Sequence, residues 1–162
     1  MVKSEISNSL SYEGEVSLLV RGANLNQKFK MKNRGTDLLL TLIASALMGN
    51  VDYDSVPYYV NAYANDTPVL YNPVPISSRS AVKDESNNTD IPGTCRLTAY
   101  LTPDIIHQEL AASANTLSLL NKKKNVLATI SSNDVASMLE LIASQSPSYE
   151  AILVWILKVS NA

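Results

Sequence analysis

Val16, Leu18 and Val20 alternate with Glu15, Ser17, Leu19 and Arg21, and after a turn over 22–26, Phe29 and Met31 alternate with Lys28, Lys30 and Lys32. A period of two sends successive side chains to opposite faces, so this stretch predicts a β-hairpin with one buried face. The period then changes. Leu38, Leu39, Leu42, Ile43, Ala46 and Leu47 recur at helical spacing, predicting a helix over 37–48 with Thr36 as its N-cap and Gly49-Asn50 at its end. Leu40 and Met48 widen its apolar surface, which predicts packing on more than one side.

From Val51 to Gly93 prolines stand at 57, 68, 73, 75 and 92 among many Asn and Ser, and only Tyr58 to Tyr63 reads as a strand. Residues 77–90 read as a long exposed loop, and loops of that length in a compact domain are usually functional or disordered. Regular alternation returns at Cys95, Leu97, Ala99 and Leu101, a strand that stops at Pro103. A second hairpin follows, with Leu117 and Leu119 leading into a turn at 121–125 and Val126, Ala128 and Ile130 leading out.

Asn133 is placed to cap a second helix carrying Val135, Met138, Leu139 and Ile142 on one face, with Pro147 as its limit. The segment 151–159, AILVWILKV, is apolar at every position but Lys158 and predicts a central strand covered on both sides, with Trp155 buried. Each half thus runs hairpin, helix, strand, and Leu-Ile-Ala-Ser occurs in both helices, at 42–45 and 141–144. Four matching residues are too few to establish a repeat. The pattern predicts an α+β fold: a strand-rich sheet or sandwich with two amphipathic helices, in hairpin–helix–strand units.

At 162 residues the chain fits a single domain over 1–162. Its charged fraction of 17% lies below the ~25% usual for globular domains, which leaves more neutral surface. A net charge of −2 argues against a general nucleic-acid binder, since displacing counterions from phosphates needs a basic field. Cys95 is the sole cysteine, so no intrachain disulfide, thiolate zinc cluster or CxxC pair can form, and a reducing compartment is expected. The first fifteen residues lack a signal-like apolar run and no window has the ~18 apolar residues of a membrane helix, so neither secretion nor membrane anchoring is expected. The two N-x-T triplets at Asn65 and Asn87 therefore read as chance matches in polar loops.

Candidate chemistry is thin. His107, the only histidine, and Cys95 would have to supply any nucleophile–base pair, but a loop histidine and a buried structural cysteine account for both. Asp52, Asp54 and Asp66 could offer oxygens to calcium but lack the EF-hand spacing, and Asp84, Glu85 and Asp90 sit in a loop that offers no rigid cleft. No GxGxxG, GxxxxGK[ST] or GxSxG occurs among only 5 glycines. The lysines at 28, 30 and 32 and at 122–124 read as solvated, edge-protecting charges. The expectation is a non-enzymatic protein with no catalytic residue, cofactor or metal.

Tyr53, Tyr58, Tyr59, Tyr63 and Tyr71, with Pro73, crowd a proline-punctuated region of low charge. Tyrosine gives large contact area at low entropic cost, so these six residues are the candidate interface, and 51–93 the segment expected to meet a partner. Strand preference and packing at sheet margins explain the same tyrosines equally well. A third use is stacking on sugar rings through Tyr59, Tyr63 or Tyr71, as in a receptor-binding module.

Four stretches carry a family resemblance: EVSLLVRG, the segment from Asn33-Arg34-Gly35-Thr36-Asp37 through the apolar helix to Gly49-Asn50, RLTAYLTP, and the closing AILVWILKVSNA. Together they resemble small virion structural proteins of tailed bacteriophages, particularly gut phages, over most of the chain except 65–93. The resemblance implies a structural role on the head, neck, tail or fibres. It implies other virion proteins and further copies of itself as partners, and the virion as location, after synthesis in the bacterial cytoplasm. It rests on hydrophobic spacing, with no catalytic residue to check, and it offers no counterpart for the proline-bearing insertion.

Overall fold

The computed structural model describes residues 10–22, 25–50, 52–146 and 149–161, of which 10–22, 25–34 and 159–161 are described by their backbone alone. The protein has an α+β fold built on antiparallel sheets. Strands β1 (Leu10–Gly22) and β2 (Leu25–Gly35) form the predicted first hairpin, longer than the alternation indicated and closed between Gly22 and Leu25. Helix α1 (Asp37–Leu47) and strand β3 (Pro57–Ala64) follow. Three short strands come next: β4 (Thr67–Pro68), β5 (Val74–Pro75) and β6 (Ser78–Ser80). Beyond β7 (Thr94–Leu101), a 3-10 turn (Pro103–Ile105) and the one-turn helix α2 (Gln108–Ala111) lead into the second hairpin, β8 (Thr116–Asn121) and β9 (Val126–Ser131). Helix α3 (Asp134–Ala143) and strand β10 (Glu150–Asn161) complete the chain.

The strands lie in the order β4-β3-β8-β9-β2-β1-β10-β7-β6, with β5 pairing β3. Strand β2 joins two sheets. Most of it pairs with β1, and its last two residues, Arg34 and Gly35, pair with Thr129 and Ala128 of β9. The central six strands read β3-β8-β9-β2-β1-β10, which is unchanged when β1, β2 and β3 are exchanged with β8, β9 and β10. Each half's closing strand pairs with the first strand of the other half's hairpin, β3 with β8 and β10 with β1. The repeated connectivity suggested by the hairpin–helix–strand pattern is thus also a repeated pairing scheme.

One face of each sheet feeds a common core: Val60, Ala62, Leu117, Leu119 and Ile130 from one, Leu97, Leu101, Leu153 and Trp155 from the other. Helix α3 adds Val135, Met138, Leu139 and Ile142, all four positions of its predicted face and all buried. Strand β10 is central, between β1 and β7, as its apolar run predicts. Its coverage is unequal, however. Ala151, Leu153, Trp155 and Leu157 are buried, whereas on the opposite face Val154 is buried and Ile152 and Ile156 are half-buried.

Two predicted caps work differently from expectation. Thr36 holds an extended conformation ahead of α1 but makes no side-chain cap; its hydroxyl donates to the carbonyls of Val126 (2.8 Å) and Leu127 (3.0 Å), tying the helix start to β9. Asn133 likewise makes no side-chain cap, and Ser132 Oγ accepts the hydrogen bond from the Asp134 N–H instead. The end of α1 is as expected: Gly49 adopts φ +80°, and the N–H groups of Gly49 and Asn50 return to Ala46 and Ser45. Pro147 lies outside the described residues.

Between Tyr63 and Ser77, where the sequence showed no strand, the chain contributes to the core. Val69, Leu70, Val74 and Ile76 are buried in the core, and the segment crosses from β3, which β5 pairs, to β7, which β6 pairs. Residues 77–90 are exposed for the most part but have local order: β6 itself, a bridge between Lys83 and Asp90, and turns in which Asp84 and Asn87 accept from Ser86 and Thr89.

Candidate interaction surfaces

Helix α1 carries no charge after Asp37, and the next charged residue along the chain is Asp52. It meets β9 and β2 along one side, where Leu39 is buried while Leu42 and Ile43 are half-buried. Leu38 is half-buried too, but among the described residues nothing covers the other large apolar side chains. Leu40 is 53% exposed, Leu47 73% and Met48 71%; with exposed Ala44 between them they occupy positions i, i+4, i+7 and i+8, a single stripe along the helix. This corrects the expectation that Leu40 and Met48 pack against a second side. Among the described residues α1 packs on β9 and β2, and a helix apolar around most of its circumference cannot bury all of it there.

Helix α3 follows an equivalent hairpin yet solves the same problem with polar residues. Its outward positions are Asp134, Ser137 and Glu140, all exposed. The difference between two helices in matching places of the chain marks the α1 stripe as unusual rather than as ordinary apolar surface. Beside it a groove of about 410 Å3 runs between the helix and the turn over 52–55, with Leu38, Leu42 and Ser45 on one wall and Asp52 and Ser55 on the other. Asp52 shapes that turn by accepting from the Asp54 N–H and the Ser55 hydroxyl, both at 3.0 Å, and these hydrogen bonds hold its carboxyl below the usual range. Tyr53, 81% exposed, stands at the turn's tip.

The tyrosines of the predicted interface differ in exposure and surroundings. Tyr58 and Tyr59 meet edge to face with centroids 4.6 Å apart, both half-buried, and Lys122 Nζ sits 5.9 Å over the Tyr58 ring while reaching Asp54 at 3.8 Å. A bulge between Pro57 and Tyr59 explains how two adjacent tyrosines come together there. Tyr63 is half-buried on β3, opposite Thr116 and Pro68. Tyr71 is 58% exposed and lines a second cleft with Pro73 and two residues that the sequence did not single out, Tyr100 (40% exposed) and Asp104. The signal for Tyr100 was present: it takes an outward place in the alternation whose inward members are Leu97, Ala99 and Leu101.

The groups weighed for chemistry are occupied otherwise. The ring of His107 lies against that of Tyr71, and its backbone starts α2. Cys95 is half-buried against the core, and burial pushes its thiol pKa up, with a smaller opposing pull from Arg79. That direction reduces the thiolate fraction a nucleophile depends on. Asp90 is ion-paired with Lys83, and Asp84 accepts from the Ser86 N–H and hydroxyl. Among the described residues no three His, Cys, Asp or Glu side chains gather closely enough to hold a metal ion, and no helix is long and apolar enough to cross a membrane. The side chains of Lys28, Lys30 and Lys32 fall outside the described residues.

No known protein family, curated protein or solved structure matches this chain.

Proposed function

We propose that this protein is a non-catalytic structural subunit of a bacteriophage virion, and that it assembles by pairing α1 with α1 of a second copy. The observation that carries the assembly reading is the uncovered stripe of Leu40, Ala44, Leu47 and Met48 on a helix that is uncharged beyond Asp37. Water contact with such a surface costs about 25 cal/mol per Å2, so its burial on association is favourable. A second copy is the occupant best suited to it. Beyond Asp37 at its start the helix carries no charge to repel its copy across a twofold axis, and antiparallel pairing aligns the two helix dipoles favourably. The low overall charge and the resemblance of the hairpin, helix and terminal strand to small phage virion proteins support the same reading.

Quantitative mass spectrometry of purified phage particles tests the virion assignment. The chain is expected among the virion proteins, at a copy number that follows a capsid or tail symmetry. Its absence from particles, with the soluble lysate holding all of it, contradicts the assignment.

A further inference from the structure

The Tyr71 cleft stands apart from the α1 surface and has a different character. Its floor is fixed by backbone. Leu70 bridges Ile106, the Tyr71 N–H donates to the Ile105 carbonyl at 2.9 Å, and the His107 N–H donates to Val69 at 2.8 Å. The Tyr71 ring is held from one side by His107, with centroids 3.7 Å apart and planes inclined by 47°, while more than half of the side chain faces solvent. Across the cleft, Tyr100 projects from the outward face of β7. Pro73 and Pro75 stiffen the intervening wall, since each fixes its own φ. The result is an open space of about 410 Å3 lined by two aromatic rings, of which Tyr71 is held in place by His107 before any ligand arrives.

Its polar groups lie at the rim. Asp104 contributes a carboxylate that receives one hydrogen bond, from the Thr102 hydroxyl to Oδ1, and Oδ2 has no partner among the described residues. Asn72, exposed beside it, offers both a donor and an acceptor. A flat aromatic surface next to an acceptor-only carboxylate and a carboxamide suits a ligand with one apolar face and a rim of hydroxyls. A pyranose has that form: axial C–H groups for the ring of tyrosine, and vicinal hydroxyls that donate to a carboxylate in charge-assisted hydrogen bonds.

We infer that the cleft between Tyr71 and Tyr100 is a saccharide-binding site, with Tyr71 as the stacking platform and Asp104 and Asn72 reading hydroxyls. A shallow site with one principal platform binds weakly by itself, with a Kd on the order of millimolar. Multiple copies in an assembly raise the effective affinity without any new contact.

The test is titration of the 15N-labelled protein with methyl pyranosides of glucose, galactose, mannose and N-acetylglucosamine, followed by amide NMR shifts. At least one sugar is expected to give saturable shifts confined to residues 70–75 and 100–107. Tyr71→Ala and Asp104→Ala each weaken that binding about tenfold or more, Tyr71→Trp keeps it, and the spectra away from the cleft stay unchanged. The inference is overturned if none of these sugars gives saturable shifts in the cleft up to about 100 mM, if Tyr71→Ala binds as well as wild type, or if a proline-rich peptide saturates the cleft while every sugar fails.

Discussion

Ile43 and Ile142 hold the same place in two Leu-Ile-Ala-Ser tetrapeptides, yet Ile142 is fully buried in the common core while Ile43 is half-buried outside it. Identical local sequence therefore meets different surroundings. Ile142→Ala is expected to cost about 2–5 kcal/mol, the range for deleting a buried aliphatic side chain, and Ile43→Ala roughly 1 kcal/mol or less. Urea unfolding of both variants measures the difference, and equal losses would contradict the burial described.

Gly49 ends α1 at φ +80°, and a Cβ added there meets nothing within 4 Å. The cost of Gly49→Ala is then one of backbone conformation alone, about 1 kcal/mol. Thermal unfolding is expected to show a lowered midpoint, without the larger loss that a clash would bring.

Thr36→Val keeps the shape of the side chain and removes the hydroxyl that reaches Val126 and Leu127. The backbone bond from the Thr36 N–H to the Leu127 carbonyl, 2.9 Å, is retained. A loss of about 1 kcal/mol is expected in chemical denaturation. Exchange of the amides early in α1 should quicken as the helix start loosens from β9.

Burial raises the Cys95 thiol pKa in the folded protein. Between its ordinary value and the raised one, the unfolded chain gains by ionising first, so the folded state loses stability as pH rises through that window and loses none below it. Cys95→Ala removes this alkaline contribution. Labelling by a disulfide reagent at pH 8 is expected to be slower for the folded protein than for the same chain in urea, and faster labelling of the folded form would contradict the environment described.

The regular elements were legible because period and punctuation agree in them. The alternation at Leu97, Ala99 and Leu101, the stripe at Val135, Met138, Leu139 and Ile142, and the glycine after α1 each carry their conformation locally. The insertion was not legible, because Val69, Leu70, Val74 and Ile76 are buried by long-range pairing with β3 and with Ile106 and follow no local period. Thr36 and Asn133 are good cap residues in isolation, but Thr36 is drawn away by carbonyls 90 residues along the chain. The Tyr71 cleft joins residues from two distant segments, so crowding in sequence pointed to Tyr71 and Pro73 and missed Tyr100 and Asp104. The α1 stripe was visible as apolar sequence; only the geometry of the sheet reveals that Leu40, Leu47 and Met48 stay uncovered.

Sedimentation velocity on the wild-type protein and on the Leu40→Lys/Leu47→Lys variant tests self-assembly through α1 most directly. The wild-type chain of 17.6 kDa is expected to sediment as a dimer or larger species at about 100 μM. The double variant, with an unchanged circular dichroism spectrum, is expected to sediment as a monomer. A monomeric wild type at that concentration, or a double variant that associates as well as the wild type, would contradict the account.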